Sequence, residues 1–299
     1  MYIRALTLLT ASDGENLALY RWPHEDSSKD VALSQNAQRA VVLLVHGLGE
    51  HAGRYEHVAG ILRSWGFEVR AYDQRGHGQS GGKPGTLPSQ DALLSDLADV
   101  VDEARAQCPN VPLILLGHSL GGLVVSRFVS LQIRPVDGLV MSSPALDASM
   151  GVLQKLLLAV LPKFLPNITV GNGLDVQFIS HDARVIAAYQ ADRFVHDRMS
   201  PRLGKFIADA GPAVVAAAGQ WSVPTLVMYA GDDKFVNPAG SRRFIEAASK
   251  SKRVAPGTVT GKCFEGMYHE IFNELQSTPV FIELKAWLDK KFLKRPITQ

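Results

Sequence analysis

Hydrophobic and polar positions along this chain follow two periods in turn. Residues 3–10 and 16–22 read as strands joined by Ser12-Asp13-Gly14, a turn-rich gap that signals a hairpin. A polar stretch over 24–39 reads as a surface loop. Strand-like runs then recur at 67–72, 136–142, 223–229 and 259–264, with continuously apolar ones at 40–45 and 111–116. Runs of this length, bounded by turn residues, mark strands buried on both faces. Between them the apolar residues fall at helical spacing. Helices are predicted over 54–65 with Gly66 as stop, from an N-cap at Ser89 to about 107, from 123 onward, over 238–250, and over 278–292. Strand and helix in alternation predict an α/β fold: a mostly parallel sheet with right-handed crossovers, helices on both faces, and ligands at the carboxyl ends of the strands.

The alternation stops after Pro144 and resumes near 220. Residues 145–219 carry helical pieces and no clear strand, so the expected organisation is a core of 1–144 and 220–299 with a helical cap inserted as 145–219. One stretch of that cap is more apolar than packing on one side requires. Leu153, Leu156, Leu157, Val160, Leu161, Phe164 and Leu165 recur at i, i+3, i+4, i+7 and i+8, and Lys155 is almost the only charge. Leu158 falls off that stripe and is expected to face outward, and Pro162 is expected to end the helix early. The excess predicts a lid in which Leu153, Leu157, Leu158 and Leu161 line an acyl passage or touch a membrane surface.

The candidate chemistry centres on Leu113-Ile-Leu-Leu-Gly-His-Ser-Leu-Gly-Gly122, a buried strand, a sharp turn and the start of a helix. On such a turn the Ser119 hydroxyl projects clear of the sheet, and Gly117 and Gly121 leave room for tightly turned neighbours. A serine hydroxyl needs a base, and the base needs a carboxylate to fix its tautomer. In this fold class they follow in the order Ser, acid, His. Gly231-Asp-Asp-Lys-Phe-Val236 and Tyr268-His-Glu270 supply them at successive strand ends. His269 is the expected base. Of the adjacent aspartates, Asp233 is favoured because it fits an Asp-x-x-Val pattern whose valine buries the loop, leaving Asp232 as a turn residue. His118 is expected to be structural, pointing away from the hydroxyl. Backbone N–H groups of Leu120, at the helix start, and Leu48, in the loop bent by Gly47 and Gly49, are the expected oxyanion donors.

Composition narrows the alternatives. A net charge of +2 without a concentrated basic patch argues against nucleic acid. His46, His51, His57 and His77 lie in separate turns without metal-ligand spacing, so no metal site is expected, and no cofactor is called for. Arg75-Gly-His-Gly-Gln-Ser80 lacks the Gly-Lys-Ser/Thr ending of a phosphate loop. The two cysteines, Cys108 and Cys263, are expected as free thiols in a reducing compartment. The N-terminal apolar run is too short for a secretory segment, and no run of about 18 apolar residues occurs. A cytoplasmic protein, peripheral to a membrane at most, is expected.

Together His46-Gly-Leu-Gly-Glu-His51 with Gly53-Arg-Tyr55, Tyr72-Asp-Gln-Arg-Gly-His-Gly-Gln-Ser80, Gly117-His-Ser-Leu-Gly-Gly122 and Tyr268-His-Glu270 resemble the monoacylglycerol lipase and lysophospholipase group of α/β-hydrolases. Leu174-Asp175, Tyr189-Gln-Ala-Asp192 and Val195-His196 extend the resemblance into the insertion. It implies a serine ester hydrolase acting on monoacylglycerols or similar single-chain esters. It carries over Ser119, Asp233 and His269 as triad and Leu48 and Leu120 as oxyanion donors. Lysophospholipase and general carboxylesterase activities stand as alternatives. A serine aminopeptidase, kept open by Asp182, Asp192 and Asp197 in the cap, and a non-catalytic ligand binder stand behind them.

Overall fold

The computed structural model describes residues 5–23, 39–148 and 151–292. The expected surface loop, apart from Arg39, and the side chain of Leu153 lie outside the described residues. Strand β1 (Ala5–Thr10) pairs antiparallel with β2 (Asn16–Trp22) across the predicted turn. The apolar runs become β3 (Val41–Val45), β4 (Glu68–Tyr72), β5 (Leu113–His118) and β6 (Gly138–Ser142), followed after the insertion by two longer strands. Within the insertion β7 (Val170–Gly171) and β8 (Arg198–Met199) pair antiparallel, a two-residue ribbon too short to announce itself by alternation. Beyond it come β9 (Thr225–Ala230) and β10 (Val259–Phe264). The main sheet runs β1-β2-β4-β3-β5-β6-β9-β10, antiparallel only at its β1-β2-β4 end.

Eight α-helices among the described residues cover and cap this sheet. They are α1 (Glu56–Ser64), α2 (Ala92–Gln107), α3 (Leu120–Ser130), α4 (Val152–Phe164), α5 (Ala183–Ala191), α6 (Pro201–Ala217), α7 (Pro238–Lys250) and α8 (Thr278–Lys291). One apolar cluster packs α2, α3, α6 and α7 on one sheet face, and a second packs α1 and α8 on the other. The sheet is thus sandwiched, and its central strands are buried along their full length. Helix α6 belongs physically to the first cluster: Leu203, Phe206, Ile207, Ala210 and Val214 are buried there beside α3. The insertion is therefore seated on the core through its last helix.

Three boundaries differ from expectation. Helix α2 starts at Ala92 with Asp91 at its N-cap, not Ser89, because a turn over 88–91 delays the first helical bonds; Leu94 and Ser95 both donate to the Asp91 carbonyl at 2.9 Å. Helix α3 begins at Leu120, directly after the serine turn, where an apolar surface on every side hides the period. Pro162 lies inside α4 rather than ending it. Near a C-terminus a proline forfeits only the bond its own N–H would have made, and Leu165 still donates to the Leu161 carbonyl at 2.8 Å.

Candidate active site

Strand β5 delivers Ser119 in a left-handed conformation, φ 54° and ψ −117°, its N–H bonded to the Ser142 carbonyl at 2.9 Å. A non-glycine residue there is strained and persists only where its surroundings impose it. A Cβ on Gly121 would lie 2.1 Å from the Val45 carbonyl oxygen, so only glycine lets α3 approach β3 behind the turn. The Leu120 side chain is buried in the core while its N–H opens the helix. Leu48, across the gap, lines the same cavity as Ser119.

The loop that carries His269 follows β10. His269 Nδ1 lies 2.7 Å from Asp233 Oδ2, and the other Asp233 oxygen accepts the Phe235 and Val236 N–H groups at 2.8 and 3.1 Å. These bonds fold the carboxylate back onto its own loop, and Val236 packs on the core. Asp232 is exposed. The structure therefore brings Asp233, not Asp232, to the imidazole. Burial opposes charge on His269, but the Asp233 carboxylate outweighs it and raises the imidazole above its ordinary range. Asp233 itself, buried yet facing that imidazole, titrates below the ordinary carboxylate range. His118 does not stand apart: its ring packs 4.7 Å from that of His269 and lines the cavity, while Nδ1 meets Ser142 Oγ at 3.1 Å. Burial and the neighbouring His269 push it down to about 4, so it is neutral at physiological pH.

A buried ionic network that the sequence reading missed binds the two loops. Glu50 Oε1 accepts the Gly47 N–H at 2.6 Å and the Tyr55 hydroxyl at 2.7 Å. Arg54 donates to Glu50 at 2.7 Å and forks onto Glu270 at 2.6 and 2.8 Å, beneath the Tyr189 ring. Burial disfavours the Glu50 charge, yet Arg54 and two nearby histidines hold it down to about 2. The i, i+4 spacing of Glu50 and Arg54, with a glutamate next to the expected base, is the signal that could have found it. The second glycine-rich motif is scaffolding. Asp73 accepts from Tyr20 Oη, Ala52 N and Gln79 N at 2.7–2.8 Å, and Arg75 forks onto Asp96. Of the four histidines weighed as metal ligands, His46 and His77 pack with ring centroids 5.2 Å apart, and each is engaged otherwise: His46 accepts the Gln74 N–H, His51 pairs with Asp192, His57 lies near the Phe272 carbonyl, and His77 meets the Arg75 carbonyl.

The cavity at Ser119 and His269 holds about 300 Å³. The insertion contributes Leu174, Val176, Ile179, Tyr189 and Val195 to its wall, and Phe235 closes it from the core. His196 N–H bonds to the Gly49 carbonyl at 3.0 Å; Gly49 has φ +77°, and a Cβ there would lie 2.2 Å from the His196 carbonyl oxygen. The expected lid leucines go elsewhere. Leu157, Leu158 and Leu161 line a separate groove of about 200 Å³ with Val170, Met199 and Pro201, not the cavity at Ser119. Leu158 does not face outward, because Gly204 on α6 lets it approach; a Cβ there would meet Leu158 Cδ2 at 3.0 Å. The exposed line is instead Leu156, Val160 and Phe164, at 61%, 48% and 75%.

A serine on a strained strand-to-helix turn, sharing one cavity with an Asp-supported imidazole at the carboxyl edge of a mostly parallel sheet, defines an α/β-hydrolase. The profile of the family described as "Serine aminopeptidase, S33" matches residues 36–276, and the chain belongs to that family, in its monoacylglycerol lipase group. It is 36% identical over 262 residues to a monoacylglycerol lipase of Mycolicibacterium smegmatis, covering 87% of this chain and 91% of the relative. A phospholipase of Bacillus subtilis, YtpA, is 31% identical over 84% of this chain and 95% of its own length. The crystal structure of a Paleococcus ferrophilus monoacylglycerol lipase superposes with a TM-score of 0.76 at 33% identity, covering 85% of this chain and 95% of that one.

Proposed function

We propose that this protein is a serine hydrolase that cleaves monoacylglycerols through an acyl-enzyme, with residues 145–219 as its cap. Ser119 Oγ attacks the ester carbonyl carbon as His269 takes the hydroxyl proton. The N–H groups of Leu48 and Leu120 receive the developing oxyanion. His269 then gives the proton to the departing glycerol oxygen, and the C–O bond breaks. Water repeats the sequence, with His269 again as base, and frees the fatty acid. Asp233 holds the imidazole in the working tautomer and stabilises the imidazolium.

The observation that carries the substrate reading is the lining of the cavity. It joins apolar cap residues to four carboxylates, Glu50, Asp192, Asp197 and Glu270, and includes no lysine or arginine. The apolar wall suits an acyl chain, and a neutral polyol suits a polar wall of net negative character. A phosphate head would meet repulsion there, which places lysophospholipids second. A peptidase would need an unengaged carboxylate for the substrate amine. All four are engaged although not all are neutralised: Glu50 and Glu270 share the single charge of Arg54, Asp192 bonds His51, and Asp197 pairs with Arg198, while Asp182 pairs with Arg184 away from the cavity wall.

No helix among the described residues is long and apolar enough to cross a membrane. Our reading is a protein that visits membranes through the apolar outer face of α4, and the two free thiols fit a reducing compartment such as the cytoplasm. Monoacylglycerol, lysophospholipid, a short-chain nitrophenyl ester and an aminoacyl amide, assayed side by side, test the substrate reading. The highest kcat/KM is expected on monoacylglycerol; a higher value on the lysophospholipid or the amide overturns it.

A further inference from the structure

Glu274 lies five residues past His269 and outside the cavity lining, and its side chain is 4% exposed. Leaving a carboxylate there requires partners, and it has them. One oxygen accepts the Tyr268 backbone N–H at 2.7 Å and meets His181 Nδ1 at 2.9 Å. The other accepts the backbone N–H groups of His181 and Leu275, both at 3.3 Å. Tyr268 directly precedes the base, and His181 belongs to the cap. The two rings stack, with centroids 3.6 Å apart and planes 20° apart. On either side, Glu270 N donates to the Ile179 carbonyl at 2.8 Å and Ser180 Oγ to the Asn273 carbonyl at 2.9 Å. The base loop is thus bonded along its length to cap residues 179–181.

Asp233 meets the imidazole at one nitrogen and the His118 and Phe235 rings pack beside it, so how far the ring reaches into the cavity follows the backbone that carries it. That backbone is held by Glu274 from below and by the cap from the side. We propose that Glu274 is a positioning residue for His269, tying Tyr268 to the cap through His181 so that the base is aimed while residues 179–181 are seated. It touches no substrate. Displacing this part of the cap then slackens the base as well as opening the cavity. The inference rests on the serine-hydrolase reading, which fixes His269 as base.

The test uses charge-conserving Glu274→Asp and, separately, His181→Ala, with activity divided by the number of sites that a fluorophosphonate titrates. Aspartate keeps the charge and loses the reach. Glu274→Asp is expected to lower kcat per titrated site by up to about 100-fold, the cost of roughly 1 Å of misplacement, with KM nearly unchanged. His181→Ala, which spares the Tyr268 bond, should fall less, and the double variant should be no worse than Glu274→Asp alone. The groups facing His269 are Asp233, Glu270, Glu50 and His118, and all remain in place. A slackened Asp233 contact therefore moves the acid limb of the rate profile to lower pH. A per-site kcat equal to the parent's, or a fall with the limb unmoved, overturns the assignment. Should Glu274→Asp not fold, His181→Ala carries the same readings, since that side chain is 40% exposed. A parent that neither takes the label nor cleaves an ester overturns the serine-hydrolase reading, and the positioning role with it, before any variant is made.

Discussion

The two sides of the cavity are built by opposite means. On the core side, Ser119 follows the buried strand β5, His269 is itself buried beyond the edge strand β10, and Glu50, Arg54 and Glu270 are locked together below the surface. On the cap side, Leu174, Val176 and Tyr189 come from short, partly exposed elements, and no residue of α5 is fully buried. The core side is rigid because several buried polar groups over-determine each position. The cap side gains little from any one contact and can be rearranged at small cost. Chemistry is thus fixed by one side and access by the other, and substitutions should divide the same way.

The largest loss is expected at the nucleophile. Ser119→Ala should abolish fluorophosphonate labelling and lower hydrolysis by roughly 10⁶, as for removal of a triad serine elsewhere, with the thermal unfolding curve nearly unmoved. A labelled Ser119→Ala protein would place the nucleophile elsewhere.

Next comes the acid. Asp233→Asn should cost about 10⁴ in kcat, while the exposed Asp232→Asn should leave kcat almost unchanged; equal losses would contradict the geometry. The pH profile follows from the same contact. His269 must be neutral to accept the serine proton, and Asp233 raises its pKa above the ordinary 6.5. The rate should therefore fall as pH drops through a midpoint above that value. Asp233→Asn removes the raising charge, so the residual activity should have its midpoint lower.

The ionic network should report on stability more than on chemistry. Arg54→Met leaves Glu50 and Glu270 buried and unmatched, a defect worth about 3–5 kcal/mol by urea unfolding. Glu50 is depressed from 4.5 to about 2, so its contribution is full above 4.5 and is lost as pH falls towards 2. Arg54→Met should lift that acid transition to higher pH. An unchanged transition would show that Glu50 draws its stabilisation from Gly47 and Tyr55 alone.

Much of the core side was legible in the sequence. Continuous apolar runs marked β3 and β5, and Gly117 and Gly121 marked a turn that only small residues permit. Asp233 separated from Asp232 because a valine three residues on must bury its loop. What stayed hidden was long-range. No local pattern shows that Glu274 will meet His181 across 93 positions, or that Arg54 will reach Glu270 across 216. The cap was read less well for a different reason. Periodicity says which residues share a stripe, but not which stripe another helix covers. Gly204, small enough to admit Leu158, decided that.

The smallest effect belongs to the cap surface, and it is where the contrast between the two sides is sharpest. Leu156, Val160 and Phe164 stand at i, i+4 and i+8 on α4, one line facing away from α6. Such a line in water is unfavourable unless a lipid surface covers it part of the time. Burying a large apolar side chain is worth roughly 1.5–3 kcal/mol, so Phe164→Ser should weaken binding to phosphatidylcholine vesicles by about tenfold. Leu156→Ser should do so by less, since less of it is exposed. Activity on long-chain monoacylglycerol presented in vesicles should fall with binding. A soluble short-chain ester should be cleaved nearly as before, because the line lies outside the cavity at Ser119. Parallel loss on both substrates would mean that α4 supports the cavity wall, and the division between chemistry and access would fail at this helix. Loss on neither would leave the exposed line without a lipid role and send the search for the entry path to the rim formed by Leu174 and Val176.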